Sequence, residues 1–419
     1  MSMIEKNLSQ KNFELSRTNP ELLKRREKEQ KLVPRDPHYF DAFKDLGVAI
    51  EQVYLSHPSE EFSLRVRAAY KPEGTKYTAT LKDTGEVIDG NLDRMEVETE
   101  IDAETFTFYQ SNPDYPRVRK IRTELADGLT IDFVEGLEAP LIEKETSEDP
   151  TGQQFVDAFQ EGLIDKTGDS SVLNESIAHS LHEKETLLPK SESIDGLVDR
   201  IVTEAVTQYS LGHQQVVLGI SGMSGSGKST VAREVEKTLV EAFGESFQPL
   251  TLSSDDYHRG KKWLEATYGA PWTNWDDPRV YHTVELAEDL KKLANGETIR
   301  RKHFDFATEE VVYDEEVSTR PFVIVEGLFA GSPDLNPVRH LHFEVSSGVA
   351  TSIGRDVRRL MLAGRANDSI GSPESRLRYQ MEKAVPTYAA QERPRRNGFS
   401  AYTRPLAERA FLLDKLREL

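Results

Sequence analysis

Two periods divide this chain. Between residues 27 and 145, charged and apolar residues alternate with period two in seven short runs. These are Glu27-Lys28-Glu29-Gln30-Lys31 before Leu32-Val33, Leu64-Arg65-Val66-Arg67, Tyr77 to Lys82, Met95-Glu96-Val97-Glu98-Thr99-Glu100-Ile101, Lys120-Ile121-Arg122, Leu129-Thr130-Ile131-Asp132-Phe133 and Ile142-Glu143-Lys144-Glu145. In a strand, residues i and i+2 share a face, so each run predicts a strand with its charges on one side.

From residue 194 the pattern changes. Ile194, Leu197, Val198, Ile201, Val202 and Ala205 form a helical face, and Val216–Ile220 is a continuous apolar run of the kind found in buried parallel strands. Val231, Val235, Leu239 and Phe243 then recur at helical spacing. Pro249–Leu252 and Pro321–Val325 read as further strands, and a helix carrying Leu286, Leu290 and Leu293 stops at Gly296. Strands alternating with helices predict a doubly wound α/β sheet. The expected organisation is a polar N-terminal arm at 1–20, a strand-rich domain at 21–182, an exposed linker at 183–193 (EKETLLPKSES) and an α/β domain at 194–419.

Composition narrows the possibilities. With 53 basic and 72 acidic residues the net charge of the 419-residue chain is −19, which disfavours nucleic acid and anionic membranes as partners. Any basic site must be local and enclosed. There is no cysteine, which excludes disulfides and thiolate metal sites. No run approaches the roughly 18 apolar residues of a membrane span, so a cytoplasmic location is expected.

Taken singly, each charged strand face is an ordinary solvated face. The sorting of charges by sign changes that reading, because strands carry acidic pairs or basic pairs where a solvated face usually mixes them. Closed with the charges inward, such a sheet would form a tunnel in which carboxylates hold Mg²⁺ or Mn²⁺ and cations neutralise a polyphosphate.

The ordered motifs Glu27-x-Glu29-x-Lys31, Arg65-x-Arg67, Lys82, Glu96-x-Glu98, Lys120-x-Arg122, Asp132 and Glu143-x-Glu145, followed by EGLIDKTGDSSVLNESIA at 161–178, resemble the CYTH or triphosphate tunnel metalloenzyme family. The resemblance implies an eight-stranded α+β tunnel that binds inorganic or organic triphosphate and hydrolyses it with a divalent metal. It implies metal-side carboxylates at Glu27, Glu29, Glu98, Glu143 and Glu145, and a phosphate cradle of Lys31, Arg65, Arg67, Lys82, Lys120 and Arg122. A tunnel that only binds its anion and signals to the next domain is the alternative.

The second domain carries Gly222-Met223-Ser224-Gly225-Ser226-Gly227-Lys228-Ser229, the G-x-x-x-x-G-K-[ST] P-loop, between the Val216–Ile220 strand and a helix. Backbone N–H groups from Gly222 through Thr230, including those of Ser224, Gly225, Ser226 and Gly227, would wrap ATP phosphates. Lys228 supplies charge to the β- and γ-phosphates and Ser229 a hydroxyl to Mg²⁺. Asp255 follows a strand at the edge where open α/β sheets bind ligands, placed to take a proton from an acceptor hydroxyl. Glu326 ends another strand beside the P-loop as a metal or water contact; capping a turn is the plainer role for each acid. Arg355, Arg358, Arg359 and Arg365 have helical spacing and read as a lid, with Arg358 and Arg365 meeting the transferred phosphoryl.

With SSDDY at 253–257, TNWDDP at 273–278, HFDF at 303–306 and IVEG at 324–327, the order of parts resembles the uridine kinase and phosphoribulokinase family, which implies ATP-dependent phosphorylation of a small hydroxyl-bearing acceptor. Where pyrimidine-using members carry a histidine and an arginine after the aromatic run, this chain has Glu309 and Glu310, so uridine is expected to be a poor acceptor. A P-loop used only as a nucleotide switch is the rival expectation. No oligomeric state is assigned.

Overall fold

A computed structural model of the chain describes residues 20–126, 128–146, 151–182, 193–305, 308–363 and 371–390. Residues 1–19 of the expected arm, residues 183–192 of the linker, Phe306, Arg365 and the tail after residue 390 lie outside them. The described residues fall into two compact units. One takes in residues 20–182 with Gly348–Glu382, and the other residues 193–347 with 383–390.

In the first unit the seven period-two runs fall on the strands β1 (Arg26–Pro34), β3 (Phe62–Lys71), β4 (Gly74–Asp83), β6 (Asn91–Glu100), β7 (Arg117–Ala126), β8 (Leu129–Val134) and β9 (Leu141–Glu145), and three strands that no run marked join them: β2 (Val48–Tyr54), β5 (Glu86–Ile88) and β10 (Leu163–Asp165). Antiparallel pairing runs β1, β9, β8, β7, β2, β3, β4, β6, and β6 returns to β1 from Arg26↔Met95 to Glu29↔Leu92. That last pairing closes eight strands into a barrel, with β5 and β10 appended to β6 and β1.

Alternation then decides what faces where. Leu64, Val66, Leu81, Met95 and Val97 are buried on the outer face, which the helices Ala103–Gln110, Val349–Ala363 and Pro373–Tyr379 cover. Leu32, Leu129, Ile131 and Ile142 pack on Phe40, Phe155 and Phe159 around the other side. The charged positions of the same strands are left pointing inward.

The interior is not charged throughout. At one end Tyr54, Val118, Val134 and Leu141 meet Val172, Ile177 and Ala178 in a buried apolar cluster. Val172 and the helix Asn174–Leu181 thus plug the barrel there, overlapping the segment 161–178 that the sequence marked as C-terminal to the strands.

The second unit is a parallel sheet in the order β12-β15-β11-β16, formed by β11 (Val216–Ser221), β12 (Leu250–Ser253), β15 (Phe322–Glu326) and β16 (Leu341–Glu344); β13 (Ile299–Asp305) and β14 (Glu310–Val317) make a separate hairpin. Val216, Leu218, Ile220, Phe322 and Ile324 pack against the helices Ile194–Ser210 and Lys228–Phe243 on one face. Val217, Val323 and Val325 pack against Leu286, Leu290 and Leu293 of the helix Thr283–Ala294 on the other. Helices on both faces make this a doubly wound α/β fold. Ser193 caps the first helix by accepting from the Gly196 N–H, where the sequence ends the linker. No helix among the described residues is long and apolar enough to cross a membrane.

One segment departs from the expected organisation. Gly348–Glu382 lies in the α/β domain by sequence but folds with the barrel. The reason is local: the barrel's outer apolar face needs cover, and the helix Val349–Ala363 offers a stripe of buried Ala350, Ile353, Val357 and Leu360. Phe62 lies against Gly354, where an added Cβ would come within 2.3 Å of the ring, and the Arg358 guanidinium sits 4.5 Å from its centroid.

Candidate functional site

The barrel encloses a cavity of about 380 Å³. Of the eleven barrel positions expected at the site, ten line it: Glu27, Glu29, Lys31, Arg65, Arg67, Lys82, Glu98, Arg122, Glu143 and Glu145. Cross-strand register explains the convergence, since Lys31 stands opposite Glu143 and Glu29 opposite Glu145 on the β1–β9 pair.

The eleventh, Lys120, is elsewhere. Its ammonium is wholly inaccessible and lies 2.6 Å from Asp132, itself wholly buried. Burial and neighbouring Arg122 push Lys120 down to about 8, while burial of Asp132 is outweighed by the charges of Arg122 and Lys120, which hold its carboxyl below the usual range. Both groups are charged at neutral pH. Lys120 is therefore a support behind the wall, and Asp132 is its anchor, also gripping Arg122 through two bonds of 2.7 and 2.6 Å.

These pairs continue as one chain of alternating charge. Arg122 reaches Glu143 at 2.5 Å, Glu143 accepts from Lys31 at 2.7 Å, and Lys31 approaches Glu29 at 3.5 Å. Glu29 accepts from Arg94 at 2.5 Å, Arg94 lies 3.6 Å from Glu27, Glu27 accepts from Lys82 at 2.5 Å, and Lys82 is 3.3 Å from Glu96. Five cations (Lys120, Arg122, Lys31, Arg94, Lys82) meet five carboxylates (Asp132, Glu143, Glu29, Glu27, Glu96), so the chain carries no net charge. Burial opposes ionisation of Glu143, yet Lys31, Arg122 and Lys120 hold it well below the usual carboxylate range. Glu29, Glu143 and Glu27, assigned by resemblance to the metal side, thus also hold the cradle cations in place.

Arg94 was missed by the sequence reading, which began its strand at Met95. Its parity with Glu96 and Glu98 puts it on the same inward face, and the rule of strands sorted by sign obscured it: β6 mixes the signs. Ser63, Tyr54, Asn174 and Glu175 also line the cavity without having been singled out.

Two groups stand outside the neutralised chain. Arg65 is half-buried, has no carboxylate in ion-pair contact among the described residues, and keeps a buried Nε–H with no acceptor, as do Arg67 and Arg94. Its company is the Tyr54 hydroxyl, opposite it in the β2–β3 register. Burial opposes the charge of Arg65, but Tyr54, Glu96 and Glu98 outweigh it, and the unused Nε–H would be met by an anion entering the cavity. Glu145, exposed at the end of β9 and with no cation in ion-pair contact among the described residues, is pushed up to about 7 by partial desolvation and by the charge of Glu27, with Lys82 opposing and Glu96 and Glu143 adding to it.

In the α/β unit the P-loop closes between β11 and the helix Lys228–Phe243. Gly225 and Gly227 adopt φ of +79° and +97°, and a Cβ at Gly222 would meet the Val345 carbonyl at 2.3 Å, so each glycine is needed. Lys228 opens the helix, and Ser226 keeps a buried hydroxyl with no partner. Thr230 lies in the first helical turn, its hydroxyl 3.5 Å from Arg233. Ser229 Oγ donates to Glu326 Oε2 at 2.9 Å. Burial raises the Glu326 carboxyl, with Lys228 pulling it down and Asp255 pushing it up, so the lysine and the two acids share one edge of the sheet. The Asp255 N–H is held by Ser253 Oγ at 3.2 Å in the short turn after β12.

The arginine segment is placed differently from the expected lid. Arg358 bonds Glu61 at 2.7 Å and lies 3.8 Å from Asp83, Arg355 bonds Glu61 at 3.0 Å, and Arg359 bonds Asp356 at 2.7 Å. The Arg359 contact lies within the helix, while those to Glu61 and Asp83 are made within the barrel's own unit and fix the helix to it, so Arg358 is occupied as a docking residue. Arg365 lies outside the described residues. The two acids at the acceptor side are occupied as well, Glu309 by Lys261 at 3.3 Å and Glu310 by Lys262. Phe304 is buried in a stack on His258, centroids 3.9 Å apart.

Residues 217–354 match the Phosphoribulokinase / Uridine kinase family. A uridine kinase from Clostridium perfringens is 27% identical over 196 residues, 46% of this chain and 85% of that one. A uridine kinase from Alkaliphilus metalliredigens is 31% identical over 151 residues, 36% of this chain and 70% of that one. Among solved structures, an inorganic triphosphatase is similar over 36% of this chain and 93% of its own, at 22% identity and a TM-score of 0.23.

Proposed function

Because the chain belongs, through its α/β domain, to the phosphoribulokinase/uridine kinase family, we propose that this domain transfers the γ-phosphoryl of ATP to a hydroxyl of a nucleoside-like or sugar-like acceptor, and that the barrel hydrolyses inorganic or organic triphosphate. What supports the kinase is the shared sheet edge of Lys228, Ser229, Glu326 and Asp255. The P-loop N–H groups hold the phosphates, Lys228 neutralises charge developing on the transferred group, and Asp255 takes the proton of the acceptor hydroxyl as its oxygen attacks phosphorus and the bond to the β-phosphate oxygen breaks. Ser229 and Glu326 present the hard oxygen donors that suit Mg²⁺, which when bound would offset charge on the β- and γ-oxygens.

What supports the barrel reading is unused bonding capacity among the cavity cations: Arg65, Arg67 and Arg94 each keep a buried Nε–H with no acceptor. No three acidic or histidine side chains among the described residues stand at the spacing of a preformed metal cage. Mg²⁺ commonly binds through one or two carboxylates, water and substrate phosphates, and the crowding of Glu145 against Glu27 and Glu96 fits that mode. A bound divalent cation would polarise the phosphoryl oxygens.

The acceptor follows from what Glu309 and Glu310 do. Both are carboxylates tied to lysines of the helix Lys261–Tyr268, and a carboxylate offers a pyrimidine ring no donor. ATP turnover measured against a panel of nucleosides and sugars should show uridine used below roughly 10⁴ M⁻¹s⁻¹ in kcat/KM, with another hydroxyl compound above it. Uridine as the best acceptor would overturn this assignment; no turnover with any acceptor would overturn the kinase.

A further inference from the structure

We propose that an anion held in the barrel regulates nucleotide binding at the P-loop. The loop 55–61 joins the barrel cavity to the start of the helix Val349–Ala363, and filling the cavity loosens that joint and weakens the grip of the P-loop on its nucleotide. The inference rests on the reading of the barrel as a polyphosphate site, and adds to it a regulatory consequence of occupancy, whether or not the anion is hydrolysed.

The path begins at Glu175, which lines the cavity with Ser63. Its carboxylate accepts from the hydroxyls of Ser56 and Ser63, and His179 on the same helix donates through Nε2 to the Ser56 carbonyl at 2.9 Å, so the loop is fixed to the helix Asn174–Leu181 at Ser56. The far end of the loop holds the helix Val349–Ala363. Glu60 Oε1 accepts from the His57 N–H at 3.0 Å and Oε2 from the Thr351 hydroxyl at 2.9 Å, and a Cβ at Gly348 would come within 2.5 Å of the same Oε2. Three positions upstream, the chain is fixed to the P-loop. The Val345 N–H donates to the Ser221 carbonyl at 2.7 Å, and the Val345 carbonyl lies against Gly222. Only Ser346 and Ser347 separate the two attachments, a reach of about 10 Å at full extension, which leaves little chain to absorb a shift of Gly348.

Charge supplies the switch. Burial pushes the Glu175 carboxyl up and the Ser56 and Ser63 hydroxyls pull it down, while the charge of Glu60 adds to the upward push and that of Arg94 opposes it. Polyphosphate brings several negative charges into the cavity that Glu175 lines. Repulsion there either turns the carboxylate away or protonates it, and both weaken its bond with Ser56. The loop thus has two arrangements, held when the cavity is empty and released when it is filled, and the anion favours the second because repulsion is smaller in it. Release at Ser56 slackens the hold of Glu60 on Thr351 and Gly348, and Val345 no longer fixes Gly222 in the shape that receives phosphate. Linkage makes the effect mutual: nucleotide weakens anion binding by the same factor.

Calorimetric titration of the full-length, metal-free protein tests it, with ADP as the probe of the P-loop and tripolyphosphate as the probe of the barrel. Saturating tripolyphosphate should raise the Kd for ADP about fivefold and then no further, and saturating ADP should raise the Kd for tripolyphosphate by the same factor. Ser56→Ala removes the bond to Glu175 and Thr351→Val the bond to Glu60. Each should still bind both ligands, with the factor reduced toward one. A Kd for ADP that climbs without limit as tripolyphosphate is added would mean competition at the P-loop and would overturn the proposal, as would a factor unchanged in both variants. ADP affinity unaltered while tripolyphosphate is bound would overturn it and leave the barrel reading intact. Tripolyphosphate that does not bind would overturn the barrel reading, and this inference with it.

Discussion

Replacing Lys228 by alanine should reduce ATP-dependent phosphoryl transfer by about 10³-fold or more, a loss of about 4 kcal/mol of transition-state stabilisation. The size follows from its position. Lys228 opens the helix after the P-loop, its charge is felt by Glu326, and in the proposed reaction it meets the oxygens on which charge accumulates during transfer. Substitution leaves the turn intact, because the geometry of the loop is set by Gly222, Gly225 and Gly227. A nucleotide that still binds but is not turned over would be the signature. Transfer within tenfold of the unsubstituted protein would remove Lys228 from the reaction.

The largest stability effect is expected in the barrel. Asp132→Ala should destabilise the chain by about 3–5 kcal/mol, read from urea unfolding, because it strips the partner from Lys120, whose ammonium is wholly buried, and two bonds from Arg122. The penalty is that of an uncompensated buried charge, so adding Lys120→Met to Asp132→Ala should recover a substantial part of it. That recovery distinguishes charge burial from a cavity, which a second substitution would deepen. A loss below about 1 kcal/mol, the scale of an exposed pair, would show that the network is screened by water.

How far the sequence could be read depends on the range of the interactions concerned. The P-loop is a local object: its glycine positions, strand and helix are contiguous, and its chemistry follows from spacing alone. Seven of the eight barrel strands were legible because period two is local too, while β2 (VAIEQVY) carries no charge alternation and was not; the inward set was legible because parity along each strand puts Glu27, Glu29 and Lys31 or Arg65 and Arg67 on one face. Partnership was not. That Glu27 accepts from Lys82, and Glu29 from Arg94, depends on β6 closing onto β1, a contact across more than sixty positions with no trace in either strand alone.

Lys120 shows the same limit. Its spacing from Arg122 is that of a cradle pair, but only the depth of the β7–β8 pair decides that it sits behind the wall on Asp132. The arginine helix shows another. Its 3.6-residue spacing is plain in the sequence, but the surface it covers is chosen by Phe62, Glu60 and Glu61, nearly three hundred positions away.

The central claim is that one chain carries two chemistries at two sites, and it is tested most directly by assaying both reactions in the unsubstituted protein, Lys228→Ala and Glu27→Ala. Glu27 lines the barrel cavity, accepts from Lys82 and crowds Glu145, so its loss should remove metal-dependent phosphate release from tripolyphosphate while ATP-dependent phosphorylation of the acceptor continues. Lys228→Ala should do the reverse. Loss of both activities in a folded single variant, or of neither in Glu27→Ala, would contradict the account.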